Sequence, residues 1–403
     1  MSDIASARPR TAARKILDRG LAVILGVVIA LALAELGLRL IGYSHPDFYV
    51  LDLDRGHALR PGAAGPFTDE GKSFFTVNSD GLHDRERPKA KPANTLRVAV
   101  LGDSFAEAKQ VPMGDNFSSV LERELGKCDA LHGKRVEVIN FGVSAYGTTQ
   151  ELITMREHVW DYSPDIVVLA FYTGNDVSDN SARYSGARAS PVFVRRDGNW
   201  QLDYSFRNIP RYRKALQRQS SIGTWFEDHS RIGQLIKNVS RIAGAPAREA
   251  SAEEDRRMYS SPGDPDLREG WDATEYMLSV MDGEVRAHHA TFLLVTLSNG
   301  IQVYPDPRVR AAFTKKPGIV DLFYPEHRLG SFASRENFDI LSLAEPFQRY
   351  AEKHGVFLHG FHNTIMGYGH WNSAGHRLAG MMIANRLCTM LGGHPTAEDA
   401  DLR

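Results

Sequence analysis

The sequence predicts an α/β fold with a central parallel sheet, preceded by one transmembrane helix. Three short apolar runs rich in β-branched residues, at 96–101, 136–139 and 166–171, predict buried strands. Such nearly continuous apolar runs are typical of parallel strands that are covered on both faces. A separate apolar run begins at residue 20, directly after a basic leader, and indicates a membrane-spanning segment.

Each of the three predicted strands is followed by a short glycine-containing polar segment, at 102–104, 140–144 and 174–176. Ligands of open α/β sheets bind outside the carboxyl ends of the strands. We therefore expect the three segments to meet in one cleft.

The residue types in these segments are those that acyl transfer requires. Ser104 offers a hydroxyl nucleophile, and the backbone N–H groups of Ser104 and Gly142, with the side-chain amide of Asn175, offer an oxyanion hole. Asp103 and Asp176 are predicted to brace their turns. The general base is predicted to be His370, in a glycine-rich loop before a helical pattern at 373–391.

These blocks resemble the SGNH (GDSL-like) hydrolase superfamily, and most closely its membrane-anchored bacterial members. The resemblance covers about 73–179 and 291–391. It implies a flavodoxin-like three-layer α/β/α sandwich and a serine-dependent attack on ester bonds, with no cofactor and no metal. The matching positions are Gly102-Asp103-Ser104, Gly142, Gly174-Asn175-Asp176, and His370 with the supporting Asn372.

One position departs from the family pattern. The catalytic histidine usually has an aspartate three residues before it, and this chain has Gly367 there. Three interpretations follow: a Ser–His dyad with His370 oriented by a backbone carbonyl, a carboxylate from elsewhere such as Asp339, or a weakened catalyst. The dyad is the favoured expectation, because the other elements of the site are present.

The first 43 residues predict an uncleaved membrane anchor. Its amino terminus is expected in the cytoplasm, and the catalytic domain is expected in the periplasm of a bacterium. The apolar run 20–34 continues to residue 43 if Glu35 and Arg39 pair at i, i+4 near the outer interface. A cleaved signal peptide, with the small residues 30–32 as its cleavage site, is the alternative. The basic residues of the leader are Arg8, Arg10, Arg14, Lys15 and Arg19.

The predicted organisation has four parts, which are a cytoplasmic leader at 1–19, an anchor at 20–43, a linker at 44–72 and a hydrolase domain at 73–395. An insertion at about 181–272 interrupts this domain and carries charged helical patterns. It could roof the cleft, grip an extended substrate or meet anionic lipid headgroups, or it could be a solvated appendage.

The composition limits the classes of partner and metal site that we expect. The formal net charge is −1 and no basic cluster runs through the predicted cleft, so a nucleic-acid partner is not expected. The histidines outside the blocks lack the spacing of metal ligands. The chain has two cysteines, Cys128 and Cys388, on helices that a flavodoxin-like order places on one sheet face, so either a disulfide or two buried thiols fits.

The predicted function is an extracytoplasmic serine esterase that removes acyl groups, such as acetyl, from glycans or other envelope esters. A glycan O-acetyltransferase using the same Ser104 and His370 is the first alternative, because only acceptor access distinguishes it. A non-catalytic, membrane-tethered glycan-binding protein is the second, and Gly367 is the residue that suggests it.

Overall fold

The computed structural model describes residues 12–185, 189–244 and 255–394. The strands are β1 Tyr49–Asp52, β2 Gly56–Leu59, β3 Ala64–Phe67, β4 Ser73–Thr76, β5 Thr95–Gly102, β6 Arg135–Asn140, β7 Ile166–Tyr172, β8 Val192–Arg196, β9 Asn199–Asp203, β10 Thr291–Leu297 and β11 Asp339–Ser342. The helices are α1 Ala12–Leu40, α2 Ser104–Glu107, α3 Phe117–Leu125, α4 Thr148–Glu157, α5 Asp176–Asp179, α6 Ala182–Ser185, α7 Pro210–Gln219, α8 Ile222–His229, α9 Arg231–Gly244, α10 Pro265–Ala287, α11 Pro307–Thr314, α12 Tyr324–Glu336, α13 Ala344–His354 and α14 Ser373–Met390.

Five of these strands form one parallel sheet in the order β11-β10-β7-β5-β6. Renumbered along the chain within this sheet, the order is 2-1-3-4-5, which is the flavodoxin-like arrangement. The predicted fold class is confirmed. In this order β5 lies between β6 and β7, so the three segments that follow these strands reach the same edge of the sheet.

Both faces of the sheet are covered, because side chains alternate along each strand and the strands are apolar on both sides. One apolar cluster joins β5 residues Ala99 and Leu101 to Trp271 and Met277 of α10. The cluster on the other face joins Val98 to residues of α3, α13 and α14. The molecule around the sheet is therefore a three-layer α/β/α sandwich.

A disulfide joins Cys128, just after α3, to Cys388 in α14. Both cysteines belong to the apolar cluster on the same sheet face. Of the two alternatives left open by the sequence, the structure has the bonded one.

The segment predicted as a linker, 44–72, contains regular structure. β1 pairs with β2 in an antiparallel hairpin, and β3 pairs with β4, with residues 68–72 as the turn of the second hairpin. Phe75 of β4 is buried among Leu59, Val77 and Tyr146. The residues just before position 73 therefore pack as part of the α/β unit.

The chain divides into two compact units, one of residues 47–219 and 248–403, and one of residues 1–46 and 220–247. The predicted insertion at 181–272 is thus divided between them. Its first part packs on the α/β unit, where Gln219 of α7 accepts a hydrogen bond from the Leu51 N–H (2.5 Å) and the β8–β9 hairpin places Trp200 against Tyr276. Its second part, α8 and α9, groups with α1 in the smaller unit.

The smaller unit contains the predicted anchor. Within α1, Leu17–Leu40 is long and apolar enough to cross a membrane, with a mean hydropathy of 2.6. Arg39 donates a hydrogen bond to Glu35 at 2.8 Å, which confirms the predicted i, i+4 pair. The first eleven residues of the predicted leader lie outside the described residues.

Candidate active site

Ser104 is the first residue of α2 and lies two residues beyond the end of β5. Every residue of β5 is buried, so the strand fixes the position of the turn that follows it. Asp103 caps the helix, and its Oδ1 accepts a hydrogen bond from the Phe105 N–H at 2.9 Å. The Ser104 N–H is the first amide of this helix and has no intrahelical acceptor, so it can serve an oxyanion.

Gly142 follows β6 and packs directly on the helix that carries Ser104. A Cβ at this position would lie 2.4 Å from the Ala106 Cβ and 2.6 Å from the Glu107 nitrogen. The Gly142 N–H, predicted to bind an oxyanion, donates to the Asn140 Oδ1 at 3.0 Å. The Gly142 N–H can bind an oxyanion only if it shares its hydrogen with Asn140 or if this hydrogen bond breaks. The close packing against Ala106 and Glu107 explains why residue 142 is a glycine.

Asn175 lies three residues beyond β7, the strand next to β5. Its side-chain Nδ2 donates to the Asp179 Oδ2 at 2.8 Å, which fixes the orientation of the amide and leaves its second N–H available. The neighbouring Asp176 is buried, and its Oδ2 accepts from the Tyr172 N–H at 2.7 Å. Asp176 therefore braces the turn that presents Asn175.

His370 lies on the loop that precedes α14, and its Nε2 is 2.8 Å from the Ser104 Oγ. The loop is held at both sides of the histidine. Asn372 caps α14 by accepting from the Ala374 and Gly375 N–H groups, and a bridge pairs Trp371 with His359. The structure thus brings the predicted nucleophile and the predicted base within hydrogen-bond distance.

A carboxylate lies on the other ring nitrogen of His370. Glu70, in the β3–β4 turn, places its Oε2 2.5 Å from the His370 Nδ1, and its Oε1 accepts from the His370 N–H at 2.8 Å. Gly369 makes room for this approach, since a Cβ there would lie 2.3 Å from the Glu70 Oε1. Glu70, His370 and Ser104 therefore form a continuous chain of hydrogen bonds in the order of a catalytic triad.

Asn363 holds the turn that carries Glu70. Its Oδ1 accepts from the Gly71 N–H at 3.0 Å, and its Nδ2 donates to the carbonyl oxygens of Thr68 (2.9 Å) and Gly71 (3.1 Å). Asn363 belongs to the segment just before His370. One side chain thus ties the two loops of the hydrogen-bonded chain to each other.

A parallel sheet in 2-1-3-4-5 order, four blocks in family order and a serine–histidine pair at the sheet edge are now all present in one unit. This arrangement fits the α/β fold of the SGNH (GDSL-like) hydrolases. No family model matches the sequence, and no curated protein matches it.

Among solved structures, the chain is similar to esterases and lipolytic proteins at low identity. An acetyl xylan esterase, AlAXEase, is 13% identical with a TM-score of 0.38, over 73% of this chain and 99% of that one. A lipase/acylhydrolase from Enterococcus faecalis is 14% identical with a TM-score of 0.37, over 75% and 98%. A G-D-S-L family lipolytic protein from Desulfitobacterium hafniense is 12% identical with a TM-score of 0.32, over 72% and 97%. Because these values are low, they carry no argument about this chain, and its likeness to the SGNH fold rests on its own sheet order.

The expectation of a Ser–His dyad is wrong in its geometry. Gly367 occupies the position, three residues before the histidine, where the SGNH pattern has an aspartate. The carboxylate at the His370 Nδ1 comes instead from Glu70, near the opposite end of the sequence. Asp339, the other carboxylate considered, is hydrogen-bonded to Arg386 on a different part of the sheet. Sequence reasoning missed Glu70 because an acidic residue beside a glycine in a hairpin turn carries no signal for a contact 300 residues away.

Two other histidines near the site have packing or bracing roles. Burial lowers the pKa of His376 to about 3, and the ring stacks on Phe117. Burial also lowers the pKa of His359 to about 4, and this ring bridges the Gly369 carbonyl (2.7 Å) and the Ser298 hydroxyl (3.1 Å). Neither ring contacts Ser104, so His370 is the one imidazole at the nucleophile among the described residues.

Behind the nucleophile lie several buried carboxyl groups. Burial raises the pKa of Asp103 to about 7. Burial and the charge of Asp103 also raise the pKa values of Glu151 and Asp176 above the usual range. Within the described part of the chain, neither carboxyl oxygen of Glu151 has a hydrogen-bond partner. A neutral, protonated form is the state that such surroundings favour.

No metal site emerges from the side chains that the structure describes. The one close group of three metal-ligand types is Cys128, Asp129 and Cys388. Because its two cysteines are bonded to each other, neither offers a thiolate.

Proposed function

We propose that the chain is a serine esterase that removes acyl groups from glycans or other envelope esters. The observation that carries the proposal is the hydrogen-bonded chain from Glu70 through His370 to Ser104, with contacts of 2.5 and 2.8 Å. His370 and Glu70 are about one-quarter and one-fifth exposed, so an ester can reach the serine from solvent.

In the first half-reaction the Ser104 Oγ attacks the ester carbonyl carbon while the His370 Nε2 accepts the serine proton. Glu70 accepts a hydrogen bond from Nδ1–H, holds the ring in the required tautomer and stabilises the imidazolium. The Ser104 N–H and the Asn175 amide stabilise the oxyanion. His370 then gives its proton to the leaving alcohol, and the product is acyl-Ser104.

In the second half-reaction water attacks the acyl carbon and gives a proton to His370 Nε2. The carbon–oxygen bond to Ser104 breaks, the serine regains a proton from His370, and the carboxylic acid leaves. Glu70 also removes the reason to regard the chain as a binding protein without catalysis, because it supplies the carboxylate that Gly367 cannot.

The test is hydrolysis of p-nitrophenyl acetate by the full chain in detergent, followed by acetate release from acetylated polysaccharides. Ser104→Ala and His370→Ala should lower kcat by about 10³-fold or more. Asp339→Asn, which changes a carboxylate outside the chain of hydrogen bonds, is the matched control. Activity equal in wild type and Ser104→Ala would overturn the proposal, and transfer in excess of hydrolysis with an acceptor sugar present would replace it by an O-acetyltransferase.

We further propose that α1 remains as an anchor with the α/β unit outside the cytoplasm, which in a bacterium is the periplasm. The basic residues before the apolar segment support this orientation. The Cys128–Cys388 disulfide supports it as well, since such bonds persist in oxidising compartments. Digestion of spheroplasts with an external protease should degrade the α/β unit, and its protection in intact spheroplasts would contradict the orientation.

A further inference from the structure

The two helices that group with α1 expose large apolar side chains. On α8 these are Trp225 and Phe226, with exposed fractions of 60% and 52%. On α9 they are Ile236 and Val239, with exposed fractions of 61% and 56%. A cluster of aromatic and β-branched residues in water is unusual on a soluble protein and marks a surface that contacts something apolar.

The sequence of α9 is amphipathic. Ile232, Leu235, Ile236 and Val239 recur at intervals of three and four residues and therefore share one side of the helix. Lys237 lies about 150° around the helix from the middle of this apolar side, because successive residues are about 100° apart. One helix thus offers an apolar face and a polar face that are both accessible.

Glu35 ties the start of α9 to the last turns of α1. Its carboxylate accepts hydrogen bonds from the N–H groups of Arg231 and Ile232, each at 3.0 Å, and from the Ser230 hydroxyl at 2.9 Å. Gln234, which is buried, accepts from the His45 N–H at 2.9 Å and strengthens the same junction. A carboxylate in an apolar helix is costly unless it is paired, and the first turn of α9 satisfies it.

The position of Glu35 sets the depth of this junction. It lies five residues before Leu40, the end of the apolar segment, and therefore about 8 Å from that end along the helix. Amphipathic helices at a membrane surface bury their apolar faces by about 5–10 Å. The first turn of α9 is thus held at the depth of the lipid headgroup and acyl-chain boundary.

We propose that α8 and α9 form a membrane-interface foot, in which the apolar side chains of both helices enter the outer leaflet beside α1. This inference rests on the proposed anchoring of α1. Tryptophan is enriched at the interface level. The charged residues of the two helices have a formal sum of +1, so apolar burial rather than attraction to anionic lipid should dominate the contact; they are Glu227, Asp228, Arg231, Lys237 and Arg241.

The experiment uses the full chain in phosphatidylcholine vesicles that contain brominated phosphatidylcholine. Single cysteines labelled with an environment-sensitive dye are introduced by Val239→Cys on the apolar face, Lys237→Cys on the polar face and Ile29→Cys inside α1. The native cysteines are bonded to each other and take no label. We expect brominated lipid to quench positions 29 and 239 about threefold more than position 237. Anionic phosphatidylglycerol should change this ratio little.

The outcomes separate the foot from the anchor. Quenching at position 29 but not at 239 would overturn the proposed membrane contact of α8 and α9 and leave the proposed anchor intact. If position 239 were in that case shielded from aqueous iodide, a protein partner would be indicated instead. Absence of quenching at both positions would overturn both proposals. A second variant, Glu35→Ala combined with Val239→Cys, should lower the quenching at 239 while p-nitrophenyl acetate hydrolysis stays at the wild-type rate, and no change at 239 would contradict the role of Glu35.

Discussion

The edge of the central sheet and the β3–β4 hairpin supply opposite ends of the same chain of hydrogen bonds, but they are held by different forces. Ser104 follows β5, whose eight residues are all buried, and five of them belong to the two apolar clusters. Glu70 lies in a turn that Asn363 holds through three hydrogen bonds. The sheet edge is therefore fixed by the core, whereas the hairpin turn is fixed by a few polar contacts.

This difference predicts how the two regions respond to substitution. Net contributions of single hydrogen bonds are about 1 kcal/mol, whereas an extra methyl group forced into packed core atoms costs about 1–3 kcal/mol and displaces the backbone. Changes in the hairpin turn should lower activity and leave the fold intact. Changes at the sheet edge should affect both.

The largest expected effect on activity belongs to Glu70→Gln. The amide presents an N–H₂ group to the His370 Nδ1 and favours the wrong tautomer, so kcat should fall by about 10²- to 10⁴-fold while the melting temperature stays near that of wild type. Asp69→Asn, an equal change of charge at an exposed position in the same turn, should retain activity. Steady-state kinetics and thermal melting check both variants, and full activity of Glu70→Gln would show that the dyad suffices.

Gly142→Ala should be the most damaging change to the sheet edge. The added methyl group would lie 2.4 Å from the Ala106 Cβ, and the helix that carries Ser104 would have to move. We expect a loss of about 1–3 kcal/mol in the free energy of unfolding and an activity loss of about 100-fold. Gly330→Ala is the control, because no atom lies within 4 Å of the added carbon there. Unchanged stability of Gly142→Ala in urea denaturation would contradict the packing argument.

Asn363→Ala tests the hairpin turn without touching the triad. The turn loses three hydrogen bonds, Glu70 loses its fixed position, and kcat should fall about tenfold with KM nearly unchanged. The exposed neighbour His362→Ala should behave as wild type. If Asn363→Ala lowered stability and activity in parallel, the distinction between the two regions would fail.

The smallest expected effect concerns the pH dependence of stability at the sheet edge. Burial raises the pKa of Asp103 to about 7 from an ordinary value of 3.8, so between these values the folded chain binds a proton that the unfolded chain has lost. This group should therefore lower the free energy of unfolding as pH rises through that window, by about 1 kcal/mol between about pH 5 and about pH 6. Asp103→Asn keeps the helix cap and should flatten the slope in calorimetric unfolding. An unchanged slope would show that Asp103 is not protonated in the folded state.

The sequence by itself determined the central strands and the pairing of Ser104 with His370. The runs at 96–101, 136–139 and 166–171 are apolar on both faces. This pattern is visible in the sequence because burial favours an apolar residue type at each position of such a strand. Ser104 and Asn175 follow from it, since strand ends of a parallel sheet meet at one edge, whereas the prediction of His370 rests on its glycine-rich loop before a helical pattern. The chain has two cysteines, so Cys128 and Cys388 are its one possible internal disulfide pair, although the sequence left the bond itself open.

Only the tertiary structure decided what surrounds that pair. Glu70 contacts His370 across 300 residues, and the helix of Ser104 packs closely against Gly142. The pairing of Glu35 with the first turn of α9 spans nearly 200 residues in the same way. The periodicity of apolar residues and the local turn residues indicate which face of a helix or strand is buried. They do not indicate which distant loop supplies a hydrogen bond, because the position of that loop depends on how all the helices and strands pack.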